Sequence, residues 1–500
     1  MKTTTSSSEH EASQRDRPAA PAGRVGIISL GCPKNLVDTE VMLGRLRSQG
    51  FEIVADADQA DTVIVNTCGF IDEAKQESID TILEVAARKN ERRTGAAGAA
   101  PQRLFVAGCM VNRYAEELSA EIPEIDGFVG LDDLEQVGGL VSLGRNAAPR
   151  RSASHLLFDH TAPRVLTTSG YAYLKVAEGC NNPCTFCAIP VWRGRFRSRD
   201  LDSLVAEARA LERSGVRELC LLAQDTTRYG EDLGYGREGL RRLVEELLAR
   251  TSIPWIRFLY AYPSTLDRGL FRLMRDEQRF VSYLDIPLQH ADRGMLRRMK
   301  RAGSAERYLE LLAEARETVP DLFVRTTFIV GFPGEGPGEF DALVDFVQEA
   351  RFDHLGAFTY SPEEDTPSAA MPDRPSAEEA SARKSELLEV QRPIALERRQ
   401  RLVGSEMTVL MEGVCDETEH LLVARHHGMA PEIDGRILIN DGTAPRGTLA
   451  RALITEAHAD DLIATVVAGE AGVAQAGPAR APRELHELRL APGPGVSSGE

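Results

Sequence analysis

Gly179-Cys-Asn-Asn-Pro-Cys-Thr-Phe-Cys187 places three cysteines, Cys180, Cys184 and Cys187, at the spacing C-x3-C-x2-C. A cubic iron–sulfur cluster takes one thiolate per iron, so a loop of three leaves one iron open to a substrate or cofactor. A zinc loop is the competing reading. Zinc sites pair a C-x2-C unit with a second pair or with histidines at a set distance, and the chain has neither here. The loop leads instead into Arg193-Gly-Arg-Phe-Arg-Ser-Arg199, whose alternate arginines share one side if the segment is extended and could hold a carboxylate. A solvated basic stretch accounts for it equally.

The loop comes directly after an apolar run, and that run is the first of six. Tyr173–Val176, Glu218–Leu222, Trp255–Leu259, Tyr283–Ile286, Val324–Val330 and His354–Phe358 alternate with helical stretches. Six strand–helix units predict a partial (βα)6 barrel of the TIM type, with chemistry at the carboxyl ends of its strands. Gln224 ends the second strand, and Gly331-Phe-Pro-Gly334 ends the fifth, where glycine could permit a close backbone approach, although from the residues alone it reads first as a plain strand-to-helix turn. Glu178, just before the loop, reads as solvated or ion-paired.

Upstream, Val25–Leu30, Thr62–Val65 and Leu104–Ala107 are buried-strand runs, followed by Cys32, Cys68 and Cys109 respectively. Helical pattern lies between them, so residues 23–145 predict an α/β domain with a parallel sheet. Ligands of such sheets bind outside the carboxyl strand ends, which makes the three cysteines a second candidate set. Lys89–Gln102 reads as a flexible surface loop.

Downstream, a charged helix over Ser376–Arg401 leads to short alternating runs, Met407–Met411, Leu421–Ala424, Arg436–Ile439 and Gly447–Ile454, which predict a small antiparallel, OB-like β-barrel. Val403–Glu470 holds twelve acidic residues against four basic ones. Cys220 and Cys415 read as structural thiols, and His426-His427 as a turn pair. Residues 1–22 and 471–500 are too poor in apolar side chains to offset their ordering entropy and are expected to be disordered tails. The whole is thus an α/β multidomain chain: 23–145, a core with its linker helix over 165–400, and 401–470.

Bulk properties agree with an enzyme of the cytoplasm. No run is apolar enough to span a bilayer, and Met1–Ala22 does not read as a signal peptide. In a reducing compartment the eight cysteines stay available as ligands. The net charge of −17 argues against nucleic acid as the primary target.

The cysteine loop on a barrel resembles the radical S-adenosylmethionine superfamily. Together with the upstream cysteines and the terminal barrel, it resembles the methylthiotransferases over roughly residues 24–470, and among these the enzymes that methylthiolate an aspartate of a small-subunit ribosomal protein. The segments that carry the likeness are Ser29-Leu-Gly-Cys-Pro-Lys-Asn-Leu-Val-Asp38, Tyr173-Leu-Lys-Val-Ala-Glu-Gly-Cys180, Gln224-Asp-Thr-Thr-Arg-Tyr-Gly230, Asp285-Ile-Pro-Leu-Gln-His290, Arg325-Thr-Thr-Phe-Ile-Val-Gly-Phe-Pro-Gly-Glu335 and Tyr360-Ser-Pro-Glu-Glu-Asp365. The resemblance implies two [4Fe-4S] clusters, one on Cys180, Cys184 and Cys187 and one on Cys32, Cys68 and Cys109, and a terminal TRAM domain. It implies S-adenosylmethionine on the first cluster, with Phe186, Gln224 and Gly331 as cofactor contacts. The superfamily often has Gly-Gly-Glu where this chain has Ala223-Gln-Asp225.

The implied reaction consumes two cofactor molecules, one giving its methyl group to a sulfur and the other yielding a 5′-deoxyadenosyl radical. That radical takes hydrogen from the β-carbon of an aspartate in the twelfth small-subunit protein, at the decoding centre. Such a C–H bond is beyond any side-chain base, so no residue is assigned as a general acid or base. An electron donor and a sulfur donor are implied partners, and the acidic TRAM domain suits a basic ribosomal protein. The related alternative, a tRNA adenosine methylthiotransferase, predicts a basic TRAM face. A non-radical iron–sulfur scaffold is the remaining class.

Overall fold

A computed structural model describes residues 22–94, 102–144, 146, 148–149 and 152–469. The tails expected at 1–22 and 471–500 lie outside the described residues, except Ala22. Five strands, β1 (Arg24–Ser29), β2 (Glu52–Ile53), β3 (Thr62–Thr67), β4 (Arg103–Gly108) and β5 (Gly127–Val129), form one sheet of order β2-β1-β3-β4-β5. Every pair is parallel. Alternation sends Ile64, Phe105 and Ala107 into one helix-covered core and Val63, Val65, Leu104 and Val106 into the other, which is why these strands read as continuous apolar runs. The Lys89–Gln102 loop is shorter than expected: the helix that starts at Asp72 continues to Thr94, Lys89 pairs with Asp126, and Gln102 is buried. Residues 95–101 lie outside the described ones.

The core opens with β6 (Tyr171–Lys175). Two short strands, β7 (Ala177–Glu178) and β8 (Arg197–Ser198), then pair antiparallel and close the base of the cysteine loop. The remaining barrel strands are β9 (Glu218–Leu222), β10 (Trp255–Phe258), β11 (Tyr283–Asp285), β12 (Phe323–Val330) and β13 (His354–Thr359). They form two parallel three-stranded halves, β10-β9-β6 and β11-β12-β13, joined by a bridge between Ile256 and Phe280. This is the expected partial barrel. The linker helix, Ala377–Gln400, starts at a capping box in which Ser376 Oγ accepts from Glu379 N and Glu379 Oε2 accepts from Ser376 N, both at 3.1 Å.

The terminal unit is a closed barrel of β14 (Glu406–Cys415), β15 (Thr418–His426), β16 (Ile437–Asp441), β17 (Leu449–Ala457) and β18 (Leu462–Gly469). Its closure corrects the antiparallel expectation in one pair, since β16 and β18 run parallel. The segment Met429–Asp434 reaches the inner face of the larger barrel. There Glu432 accepts from the hydroxyls of Tyr171 at 2.8 Å and Tyr173 at 3.3 Å. Asp434 accepts from Tyr283 at 2.6 Å and pairs with Arg325 at 3.2 Å. Arg425 reaches Glu218 at 2.7 Å, which also pairs with the fully buried Arg257. Part of the terminal acidity thus serves the barrel rather than a partner's surface. His426 and His427 are likewise no simple turn pair. His426 ends β15, is buried, and packs with His427 on Phe323.

Candidate active site

Each upstream cysteine sits just past the carboxyl end of a strand: Cys32 after β1, Cys68 after β3, Cys109 after β4. Parallel neighbours end side by side, so the topology alone gathers the three. Two local devices complete the approach. Gly31 adopts φ +87°, and a Cβ there would lie 2.6 Å from the Cβ of Cys68, so only glycine lets the Cys32 segment close on Cys68. Asn35 then fastens the edges, donating to the carbonyls of Leu30 at 3.2 Å and Thr67 at 2.9 Å. Its Oδ1 faces the thiols of Cys109 at 3.6 Å and Cys32 at 4.0 Å.

The second set occupies the loop between β7 and β8. Asn182 N donates to Cys180 Sγ at 3.4 Å, and Asn182 Nδ2 anchors the loop on Asp225 at 2.7 Å. Thr185 is pinned to the carbonyls of Met299 and Arg298 at 3.2 and 2.9 Å. Arg301 Nη1 lies 3.8 Å from Cys184 Sγ, and its guanidinium rests on the Tyr262 ring. Burial pushes the Cys180 thiol up to about 11, and burial also raises Cys68, Cys109 and Cys187. Loading metal must therefore displace protons.

The two sets meet at one mouth. Arg193, which sequence left open between a substrate clamp and a solvated residue, is buried between them. One Nη donates to Glu178 at 3.0 Å, and the other to Asn35 Oδ1 at 2.9 Å, Asp38 at 3.2 Å and Cys109 Sγ at 3.2 Å. Lys175 pairs with both Asp38 and Glu178, so two cations and two carboxylates close a neutral square across the domain boundary. Burial pushes the Glu178 carboxyl up, but Lys175 and Arg193 outweigh it and hold it well below the usual range. The other arginines of that run do not share one side. Arg195 is exposed, Arg197 holds backbone carbonyls, and Arg199 pairs with Glu207.

The segment after β10 links the sets from the barrel side. Tyr260 lies beneath the Lys34 ammonium, 3.6 Å from its ring centroid, while two residues on Tyr262 faces Cys184. Tyr260 has φ +63°, held there by Asp285, which accepts from its N–H at 2.8 Å, and by Thr226 N, which donates to its carbonyl at 3.2 Å. Sequence reasoning missed Lys34, Asn35, Asp38, Tyr260 and Tyr262 as site residues. The available signal for the first three was a polar Lys-Asn pair and an Asp three residues on, in the first turns of the helix that follows Cys32.

Gln224 donates through Nε2 to Glu178 at 3.3 Å, and its Oε1 is buried without a partner among the described residues. A lone acceptor at a barrel strand end, beside the Cys180 loop, suits an ammonium donor such as that of a bound amino acid moiety. Phe186 packs with Met295, Met299, Phe332 and Tyr360. Gly331 has φ +74°, and a Cβ there would lie 2.5 Å from Ala380 of the linker helix, so its close approach is to that helix. Gly331→Ala is expected to cost about 1–3 kcal/mol through left-handed strain and this clash. Thermal unfolding checks it, and an unchanged midpoint would contradict the packing.

Among the described residues, no three His, Cys, Asp or Glu gather tightly enough to hold one metal ion. Each set offers three free thiols, donor chemistry suited to a group in which each iron takes one thiolate. Among the described residues no helix is long and apolar enough to cross a membrane.

Comparison with known families gives three matches along the chain. Residues 24–130 match the uncharacterized protein family UPF0004, 174–347 the radical SAM superfamily and 403–467 the TRAM domain. A protein of Solibacter usitatus named ribosomal protein uS12 methylthiotransferase RimO is 46% identical over 452 residues, covering 89% of this chain and 95% of its own. Proteins of the same name from Geobacter sulfurreducens and Myxococcus xanthus are 45% and 46% identical, covering 89% and 88% of this chain and 98% and 91% of their own. Among solved structures, the radical S-adenosylmethionine methyltransferase TsrM from Kitasatospora setae aligns with a TM-score of 0.49 at 15% identity, covering 76% of this chain and 78% of that one.

Proposed function

The chain belongs to the ribosomal protein uS12 methylthiotransferase family of radical S-adenosylmethionine enzymes, and we propose that it replaces a β-hydrogen of an aspartate in uS12 with a methylthio group. Cys180, Cys184 and Cys187 would hold one [4Fe-4S] cluster, and Cys32, Cys68 and Cys109 a second. When bound, these groups and two molecules of S-adenosylmethionine supply the methyl group, the hydrogen-abstracting power and a seat for the sulfur. The chain's own residues bring those capacities to one place. The observation that best supports this reading is the buried square of Lys175, Arg193, Asp38 and Glu178, which locks the two cysteine sets against a single barrel mouth.

Gln224 Oε1 would accept from the cofactor's amino group, and Glu178, kept ionised by its two cations, takes the Gln224 Nε2 so that this buried oxygen is left to accept. Phe186 would flank the adenine. Gly331 contributes through the turn that the linker helix packs against. Arg301 on Cys184 and Arg193 on Cys109 would stabilise thiolate charge in each set. An electron donor and a sulfur donor complete the reaction, and a reducing compartment, the cytoplasm, suits the free thiols. The tRNA alternative draws no support from the relatives' names, which specify uS12.

The test is direct. Anaerobically reconstituted protein, given S-adenosylmethionine, a reductant, sulfide and uS12, should add one methylthio group to an aspartate of uS12, read by tandem mass spectrometry. Modification of tRNA with uS12 unchanged would overturn the reading.

A further inference from the structure

Lys34 is 8% exposed and stands in the first turn of the helix Pro33–Ser48, two residues after Cys32. Three local rules oppose it. Burying an ammonium is costly without a carboxylate, a cation at a helix N-terminus opposes the helix dipole, and the turn offers no acid to offset either. No carboxylate among the described residues pairs with it. The nearby acids are already taken, since Asp38 and Glu178 are each shared by Lys175 and Arg193. Lys34 therefore has no carboxylate partner of its own: burial works against its charge, Cys32 and Glu178 are the negative groups that face it, and it lies on the Tyr260 segment whose Tyr262 faces Cys184.

Its position is actively maintained. The Tyr260 ring holds the ammonium at 3.6 Å, and Tyr260 keeps a left-handed backbone that Asp285 and Thr226 clamp from both sides. Strain of this kind persists only where the surroundings enforce it, and it clusters at ligand clamps. A cation–π seat fixes a charge without neutralising it.

We propose that Lys34 is the specificity-determining residue that pairs with the side-chain carboxylate of the substrate aspartate. This rests on the uS12 aspartate reading above. The reacting β-carbon is bonded directly to that carboxylate carbon, so a cation between the two sets holds the carbon where hydrogen leaves and sulfur arrives. Holding the carboxylate also orients the two β-hydrogens, and a neutral side chain of the same shape forfeits the ion pair.

The test compares the wild-type chain with Lys34→Gln and Lys34→Arg, each reconstituted anaerobically, on a peptide spanning the uS12 target aspartate and on its Asp→Asn counterpart. Iron per chain, KM for the aspartate peptide and inhibition by the asparagine peptide are measured. A charge-assisted bond of this kind makes a difference of about 10- to 100-fold in affinity. Lys34→Gln should keep its iron, raise KM by about that factor, and bind both peptides alike; Lys34→Arg should retain most of the preference. Unchanged KM and preference in Lys34→Gln would overturn the assignment, as would loss of iron from both variants, which would place Lys34 in cluster assembly. If wild-type chain leaves both peptide and intact uS12 unmodified, the substrate reading itself fails and the assignment falls with it.

Discussion

Cys184→Ala is expected to abolish release of 5′-deoxyadenosine from S-adenosylmethionine under dithionite, while Cys109→Ala retains that release and loses methylthio transfer. The contrast follows from where the two thiols sit. Cys184 lies on the loop between β7 and β8, beside Arg301 and Tyr262 at the barrel mouth. Cys109 lies at the end of β4 in the other domain and meets the core through Arg193 and the packing around Ala188 and Trp192. Each variant should fall from about eight irons per chain to about four, because each cubic cluster holds four. Liquid chromatography of the nucleoside products and iron analysis check both halves. Equal loss of 5′-deoxyadenosine in the two variants would show that the sets do not divide the labour.

Arg193→Met should uncouple the domains. With the guanidinium gone, Asp38 and Glu178 share Lys175 alone in a buried setting, and Asn35 Oδ1 loses its charged donor. Breaking a buried ion pair from one side typically costs about 3–5 kcal/mol, because the remaining charge stays desolvated. A chain of several domains need not unfold in one step, so the effect should appear as an earlier first transition, with the N-terminal unit becoming protease-sensitive before the core. Release of 5′-deoxyadenosine should continue without methylthio transfer to uS12. Arg193→Lys keeps the charge but not the fork and should recover only part of the coupling. A single, unshifted transition in Arg193→Met would show that the square does not hold the domains together.

The layout of the fold was legible because its signals are local and periodic. Runs such as Thr62–Val65 and Leu104–Ala107 are buried on both faces, so they read as strands without knowledge of their partners. The cysteine loop carries its own spacing, and Ser376 with Glu379 carries a helix start. β2 and β5 escaped notice because two or three residues are too few to show a period. The parallel β16–β18 pair escaped because pairing direction is set by chain closure rather than by side-chain pattern.

Side-chain destinations were less legible. Arg193, Arg195, Arg197 and Arg199 look equivalent in sequence, yet a left-handed turn at Gly194 splits them into a buried bridge, an exposed side chain, a carbonyl clamp and an ion pair. Glu432 and Asp434 counted toward an acidic surface but meet barrel tyrosines and Arg325.

By itself the sequence determined the order of the longer elements and singled out six thiols as candidate donors, because cysteine spacing and amphipathic periods are written residue by residue. Tertiary structure decided that the two cysteine sets share one mouth, that Arg193 and Lys175 neutralise Asp38 and Glu178, and that Lys34 has no carboxylate partner among the described residues. Charge balance in a buried site is a sum over groups from distant parts of the chain, and only folding brings those groups close enough for the sum to be taken.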